Sequence, residues 1–225
     1  IFVFAIIWSI GATLAEQSRR ELDLVLRDIE PMFPHLNTVY EYHVSPEKQD
    51  FSPWEDFIQN NWKPQADLPF WEIYVPTVDT ARYSELIKHL LRIDQHIMFV
   101  GVSGVGKTKR IQSLLDIQDE SIETFTINFS AGTGAAAVQN VIESHYEKKA
   151  KNKYKPRKAK KKAIAFIDDF NMPRKETYGA QPPIEIIRQV MDHGFWYDRK
   201  QLLPNIIQNL EIITAMGEPG GGSTD

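Results

Sequence analysis

Ile97-Met98-Phe99-Val100-Gly101-Val102-Ser103-Gly104-Val105-Gly106-Lys107-Thr108 runs four apolar residues straight into a glycine-rich turn that ends in lysine and threonine. Four apolar residues are too few for a helix and suit a short strand. Helical spacing then continues from Lys107 to Leu115. Glycine, four residues, then Gly-Lys-Thr between a strand and a helix is the pattern of a phosphate-binding loop. Gly101, Gly104 and Gly106 let the backbone wrap closely and take angles closed to other residues. Successive amide hydrogens then converge on a β-phosphate, helped by the positive end of the following helix. Lys107 is a mobile cation for the β- and γ-phosphates, and Thr108 offers a hydroxyl to magnesium. The ligand implied by the loop is a nucleoside triphosphate.

A second stretch, Ile164-Ala165-Phe166-Ile167-Asp168-Asp169, ends an apolar strand in two carboxylates. The carboxyl end of such a strand opens where α/β sheets bind ligands. Asp168 is the expected partner of the magnesium shell. Asp169 stands where a carboxylate would orient and deprotonate an attacking water, a place many such enzymes give to glutamate. Aspartate is one methylene shorter, and a ~1 Å misplacement of a catalytic group costs on the order of a hundredfold in rate. Binding with slow or absent hydrolysis is therefore expected. The base is expected to be adenine, as ATP or ADP. Guanine is usually read by Asn-Lys-x-Asp, and Asn152-Lys153-Tyr154-Lys155 lacks the aspartate.

Around these motifs strands and helices alternate. Ile73 to Val75 reads as a strand and Asp79 to Leu91 as a helix, with Tyr83, Leu86, Ile87, Leu90 and Leu91 inward. Strands are expected at Phe125 to Phe129, Ala163 to Ile167 and Leu210 to Ala215, and helices at Ala135 to Tyr146 and Pro183 to Asp192. That grammar gives a parallel sheet with helices on both faces. Before it lies a different region. Ser18 to Ile29 is helical, Val39 to Val44 reads as a short strand, and Ser52 is placed to cap a helix beginning Pro53-Trp54-Glu55. Pro64 to Pro69 is the expected boundary, dividing the chain into residues 1–70 and 71–225.

Hydrophobic residues at 42% and charged residues at 25% describe a globular chain able to bury a core, not a disordered one. Without cysteine there is neither a disulfide framework nor a thiolate metal site, which fits a reducing compartment. The six histidines show no metal-ligand spacing. Ile1 to Ala15 is uncharged yet shorter than the roughly 20 residues that span a bilayer, so it reads as a packed helix of a domain cut at its left edge, and no membrane role is expected. Formal charge is −4, but Lys148 to Lys162 holds nine lysines, one arginine and no acid; removing those ten charges leaves −14 elsewhere. The run reads as a solvated loop held extended by repulsion. Only Tyr154 interrupts it, so no base-stacking series exists and no nucleic-acid partner is expected.

Several longer strings carry a resemblance. Trp8-Ser9-Ile10-Gly11-Ala12, Val75-Pro76-Thr77-Val78-Asp79-Thr80-Ala81-Arg82-Tyr83, Asn128-Phe129-Ser130-Ala131, Asp168-Asp169-Phe170-Asn171-Met172-Pro173, Tyr178-Gly179-Ala180-Gln181-Pro182-Pro183 and His193-Gly194-Phe195-Trp196-Tyr197-Asp198 are similar to dynein heavy chains. With Ala215-Met216-Gly217 they resemble the third AAA+ module of an axonemal dynein. The resemblance implies that residues 1–70 are the mostly helical lid of the preceding module, and that residues 71–225 are most of a P-loop AAA+ α/β subdomain. It implies that Val75, Pro76 and Thr77 lie against adenine. It further implies neighbouring AAA+ modules of the same heavy chain as partners. Through the whole motor it implies intermediate and light chains and microtubules, in the cytoplasm and the axoneme of a cilium or flagellum.

Two features depart from a hydrolytic AAA+ pattern. Gly217 stands where a polar residue, commonly asparagine, holds the attacking water. After Gly220-Gly221-Gly222 the expected Arg-Asn is replaced by Ser223-Thr224-Asp225, so a truncated product is expected. A gating module that binds nucleotide, with weak or no hydrolysis, is the first reading. A self-sufficient ATPase or kinase, and a basic module for an acidic partner, are its rivals.

Overall fold

The computed structural model describes residues 1–58, 62, 63, 69, 73 and 75–219. Most of the expected 64–69 boundary, Tyr74 of the expected strand, and the end from residue 220 lie outside the described residues. The chain groups into two compact units, Ile1–Glu85 and Leu86–Asp225.

In the first unit, α1 (Phe2–Ser9) and α2 (Glu16–Ile29) precede an antiparallel hairpin of β1 (Tyr42–Ser45) and β2 (Asp50–Pro53). Glu16 in the first turn of α2 and Arg27 in its last complement the helix dipole. Arg27 also fastens the connection to the hairpin, donating to Pro34 O and Asn37 O at 2.5 Å each. The core holds Ile7, Leu26, Phe33, Val39, Tyr40 and Tyr42. Tyr40 donates its hydroxyl to Gly11 O at 3.1 Å and accepts the indole N–H of Trp54 on its own carbonyl at 2.9 Å. A Cβ on Gly11 would lie 2.6 Å from the Tyr40 hydroxyl oxygen, so the chain needs glycine there. The apolar start packs along one side only: Ile7 is buried, whereas Phe2 is 78% and Ile10 63% exposed. Ser52 caps nothing. It is buried in β2 opposite His43, and the turn Trp54–Phe57 is a short 3-10 helix following Pro53. The expected strand from Val39 likewise begins as a 3-10 turn, Val39–Glu41.

Helix α3 (Val78–Arg92) opens with Thr77 and Thr80 satisfying each other: Thr77 N–H donates to Thr80 Oγ1 at 2.6 Å, and Thr80 N–H to Thr77 Oγ1 at 3.3 Å. This is a capping box built from two threonines. Arg82 holds Glu41 at 2.6 Å.

The second unit continues through β3 (Ile97–Val100), α4 (Lys107–Asp116), β4 (Ile122–Asn128), α5 (Ala135–Ser144), β5 (Tyr146–Ala150) and β6 (Lys153–Pro156). It ends with β7 (Lys162–Asp168), α6 (Pro182–His193), β8 (Phe195–Tyr197), β9 (Pro204–Ile207) and β10 (Leu210–Met216). Strands β3-β10-β7-β4 form a parallel sheet in that order. In β7, Ala163, Ala165 and Ile167 face the α5–α6 layer, while Ile164 and Phe166 face Ile87 and Leu91 of α3 and Ile111, Leu114 and Leu115 of α4. Burial on both faces is why this strand reads as an unbroken apolar run. Leu90, expected inward, is 38% exposed.

The basic stretch is not an extended loop. Strands β5 and β6 pair antiparallel, β6 pairs parallel with β9, and β9 antiparallel with β8, giving a second sheet ordered β5-β6-β9-β8. Tyr146 is buried, and Tyr154 packs against the same core as Trp196 and Ile207. This inward alternation holds the charged residues at the surface and overrides their repulsion.

Candidate nucleotide-binding site

The carboxyl ends of three parallel strands converge on one cleft of about 270 Å³, lined by the glycine turn, Lys107, Thr108, Lys109, Asp168, Asp169, Met216 and Gly217. Backbone hydrogen bonds tie the strand ends together: Gly101 N–H to Met216 O at 3.3 Å, Phe170 N–H to Ala215 O at 3.0 Å, and Phe129 N–H to Asp168 O at 3.0 Å. Gly104 and Gly106 have φ of 87° and 80°, the left-handed region that glycine enters without a Cβ clash. Gly101 is not among the residues of positive φ, so its freedom is not used for backbone angle. Gly106 turns directly into α4, which aims the first amides of that helix at the cleft.

Thr108, in the first turn of α4, donates its hydroxyl to Asp168 Oδ2 at 2.7 Å. The other oxygen of Asp168 accepts the amide of Asp169 at 3.0 Å. A threonine hydroxyl oxygen and a carboxylate are hard donors of the kind magnesium takes. Among the described residues no group of three His, Cys, Asp or Glu is placed to hold a metal. A magnesium ion here would therefore complete its shell from phosphate and water, its usual habit at nucleotide sites. The residues fit the ion.

Lys107 folds back over the turn and donates to Gly101 O at 2.7 Å and Val102 O at 2.8 Å. Its ammonium is held by two carbonyls and must release them to reach a phosphate. Asp169 is exposed and has φ of 52°. Aspartate is among the few residues that tolerate this conformation. The kink turns the chain out of β7 directly after Asp168. A Cβ built on Gly217 meets nothing within 4 Å. Among the described residues, no side chain fills the cleft at that position.

The structure brings together the glycine turn, Lys107, Thr108, Asp168 and Asp169. Val75, Pro76 and Thr77 belong to the first unit, immediately ahead of α3. Lys109 is a cleft cation that the motif did not announce; its place two residues past Lys107, in the first turn of the helix that opens on the cleft, was the available signal.

A larger cavity, about 690 Å³, lies at the opposite end of the sheet, bordered by Asp94, His96, Asp119, Lys161, Lys162 and Glu211. Size favours it, but chemistry does not. Lys162 is already held by Glu211 at 2.5 Å and Asp94 at 3.3 Å, and three carboxylates oppose a polyphosphate. The glycine turn offers amides and an ammonium instead.

Residues 62–225 match the family described as P-loop containing dynein motor region, and residues 1–56 the one described as dynein heavy chain AAA lid domain. The chain is 42% identical to Dynein axonemal heavy chain 2 of Homo sapiens, over 99% of its own length and 5% of that protein. It is 40% identical to Dynein-1-beta heavy chain, flagellar inner arm I1 complex, of Chlamydomonas reinhardtii, over 98% of its length and 5% of the relative. Dynein axonemal heavy chain 6 of Homo sapiens is 39% identical over 98% of this chain and 5% of its own. The chain therefore spans about 5% of the length of these relatives. Lid match, P-loop match and similarity along nearly all of this chain to a segment of axonemal heavy chains agree: the chain belongs to the dynein heavy chain family, in its P-loop motor region.

Proposed function

We propose that this chain is an ATP-binding AAA+ module of an axonemal dynein motor, one that holds its nucleotide and hydrolyses it slowly or not at all. The observation that carries the reading is the 2.7 Å bond between Thr108 and Asp168, which joins the glycine turn to the end of β7 across the cleft. Amides from Gly101 to Lys107 take the phosphates, the Lys107 ammonium leaves the turn carbonyls for the β- and γ-oxygens, and Thr108 and Asp168 hold magnesium. The metal supplies charge neutralisation when bound. Val75, Pro76 and Thr77 are assigned to the adenine. Residues 1–70 are assigned to the lid of the second AAA+ module and residues 71–225 to the large subdomain of the third.

Slow turnover follows from what surrounds the water position. Phosphoryl transfer depends on positioning and on electrostatic stabilisation. Here the base position is a short, exposed Asp169 on a left-handed kink, and Gly217 brings no polar group to help it. The module is accordingly a regulatory element. Within the whole heavy chain its partners are neighbouring AAA+ modules and, through the assembled motor, intermediate and light chains and microtubules of the axoneme.

Titration calorimetry of the 225-residue chain with ATP and ADP in magnesium tests this. Binding is expected for both nucleotides and is expected to vanish in Lys107→Ala. At a hundredfold excess over the dissociation constant, bound nucleotide adds about 2.7 kcal/mol of stability, and the variant loses that gain. Failure of a folded chain to bind either nucleotide would refute the reading. Steady turnover abolished by Asp169→Ala would replace the holding role with that of an independent ATPase.

A further inference from the structure

The second sheet has one face built into the core and one left in solvent. Register fixes which residues share the outer face. Lys153 pairs with Ile206 and Ala150, Lys155 with Glu147, Phe195 with Ile206, and Tyr197 with Pro204. Residues paired across strands project to the same side. The intervening residues, Tyr154, Pro156, Asn205, Ile207 and Trp196, point inward and are buried or partly so. Trp196 anchors the arrangement by donating its indole N–H to Glu143 of α5 at 2.8 Å. The outer face therefore has two halves: a basic half on β5–β6, and an apolar half on β8–β9 where Ile206 is 37% and Tyr197 52% exposed.

The charges on the basic half are not used up. Glu147, just ahead of the lysine run, is the one acid on β5 and β6, and it is held by Lys149 at 2.8 Å. Among the described residues neither Lys153 nor Lys155 has an ion-pair partner, and both are exposed. They stand two residues apart on one strand, about 6.6 Å along it. That is the repeat of every second side chain in any other extended segment. Beside Lys153, one strand away on the parallel strand β9, stands Ile206.

We propose that this face docks an extended acidic polypeptide segment in which carboxylates alternate with apolar side chains. Lying along the seam between β6 and β9, such a segment sets its carboxylates over Lys153 and Lys155 and an apolar residue over Ile206, which stands beside Lys153. Nucleic acid fits less well. The aromatic inside the basic run, Tyr154, faces inward with Lys148 above its ring at 6.0 Å. Phe195 and Tyr197 meet edge to face at 89°, so they offer no pair of parallel platforms for bases. Arg157 spends its Nε–H on Tyr146 O at 3.1 Å. The proposal does not depend on nucleotide binding, so the two stand or fall separately.

The test is fluorescence anisotropy on the full 225-residue chain with three labelled probes of equal length. These are a peptide of alternating glutamate and leucine, a peptide of alternating glutamate and serine, and oligothymidylate. The glutamate–leucine peptide is expected to bind most tightly. Lys153→Glu with Lys155→Glu is expected to weaken it at least tenfold, and Lys153→Gln with Lys155→Gln severalfold should the charge reversal fail to fold. Lys158→Glu with Lys161→Glu, equal in charge but off the face, is expected to cost less than threefold. Ile206→Thr is expected to erase the preference for leucine over serine. Absence of peptide binding, equal affinity for the two peptides, equal damage from the off-face pair, or oligothymidylate binding as tightly as peptide each overturns the proposal.

Discussion

At the carboxyl end of the parallel sheet, Asp168 receives the Thr108 hydroxyl and Asp169 stands in solvent. At the amino end, Glu211 is 3% exposed, with the Lys162 ammonium 2.5 Å away and Asp94 beside it. Burial and the hydrogen bond with Asp94 push the Glu211 carboxyl up to about 7, while Lys162 pulls the other way. A perturbed carboxyl beside the larger cavity is the usual mark of an active site. Here it marks a structural ion pair that fastens the starts of β7 and β10. The end proposed for the nucleotide has the smaller cavity, as suits a polyphosphate gripped by backbone amides and not by enclosure.

The largest effect that separates the two ends is expected from Lys162→Met, measured by denaturant midpoints at pH 8 and pH 5. The folded-state pKa of Glu211, about 7, lies above its ordinary 4.5. Folding therefore favours the protonated form, and this group's contribution falls as pH rises from 4.5 through 7. At pH 8 the carboxylate is charged, and losing its buried partner is expected to cost about 3 kcal/mol. At pH 5 it is protonated and the cost is expected to be much smaller. His43 and His96, held below the usual histidine value by burial, act in the opposite direction in both proteins and cancel in the difference. Equal losses at both pH values would show that Lys162 matters only through packing.

Next in size, Thr108→Val is expected to weaken nucleotide binding about tenfold in magnesium, or about 1.4 kcal/mol. With chelator present it is expected to change little, and calorimetry in the two buffers reads the contrast. A comparable loss without magnesium would mean the hydroxyl serves the fold. The smallest effect is a gain. Asp169→Gly relieves a φ of 52° and is expected to stabilise the nucleotide-free chain by about 1 kcal/mol, seen as a higher melting temperature. Destabilisation instead would mean that the Asp169 side chain supports the turn.

Much of the first sheet is legible in the residues because its central strands, β7 and β10, are buried on both faces and its helices are punctuated. Helix α6 starts with Pro182 and Pro183 and stops at Gly194, whose φ of 71° suits no other residue so well. The glycine turn is legible because backbone angles and ligand contact both demand it. The second sheet is hidden, since its outward lysines dominate the composition and only Tyr146 and Tyr154 betray an inward face. The ion pair at the foot was marked only by one glutamate inside an apolar strand, Glu211 in Leu210–Met216. Which lysine would meet it depends on the register of β10 against β7, and that register is a tertiary fact.

Manganese in place of magnesium gives the most direct test, through paramagnetic broadening of backbone amide resonances with ADP present. Mn²⁺ with ADP is expected to erase the signals of Lys107, Thr108, Asp168 and Asp169 and to leave Asp94 and Glu211 sharp. Broadening centred on Asp94 and Glu211, or none that depends on nucleotide, would contradict that expectation.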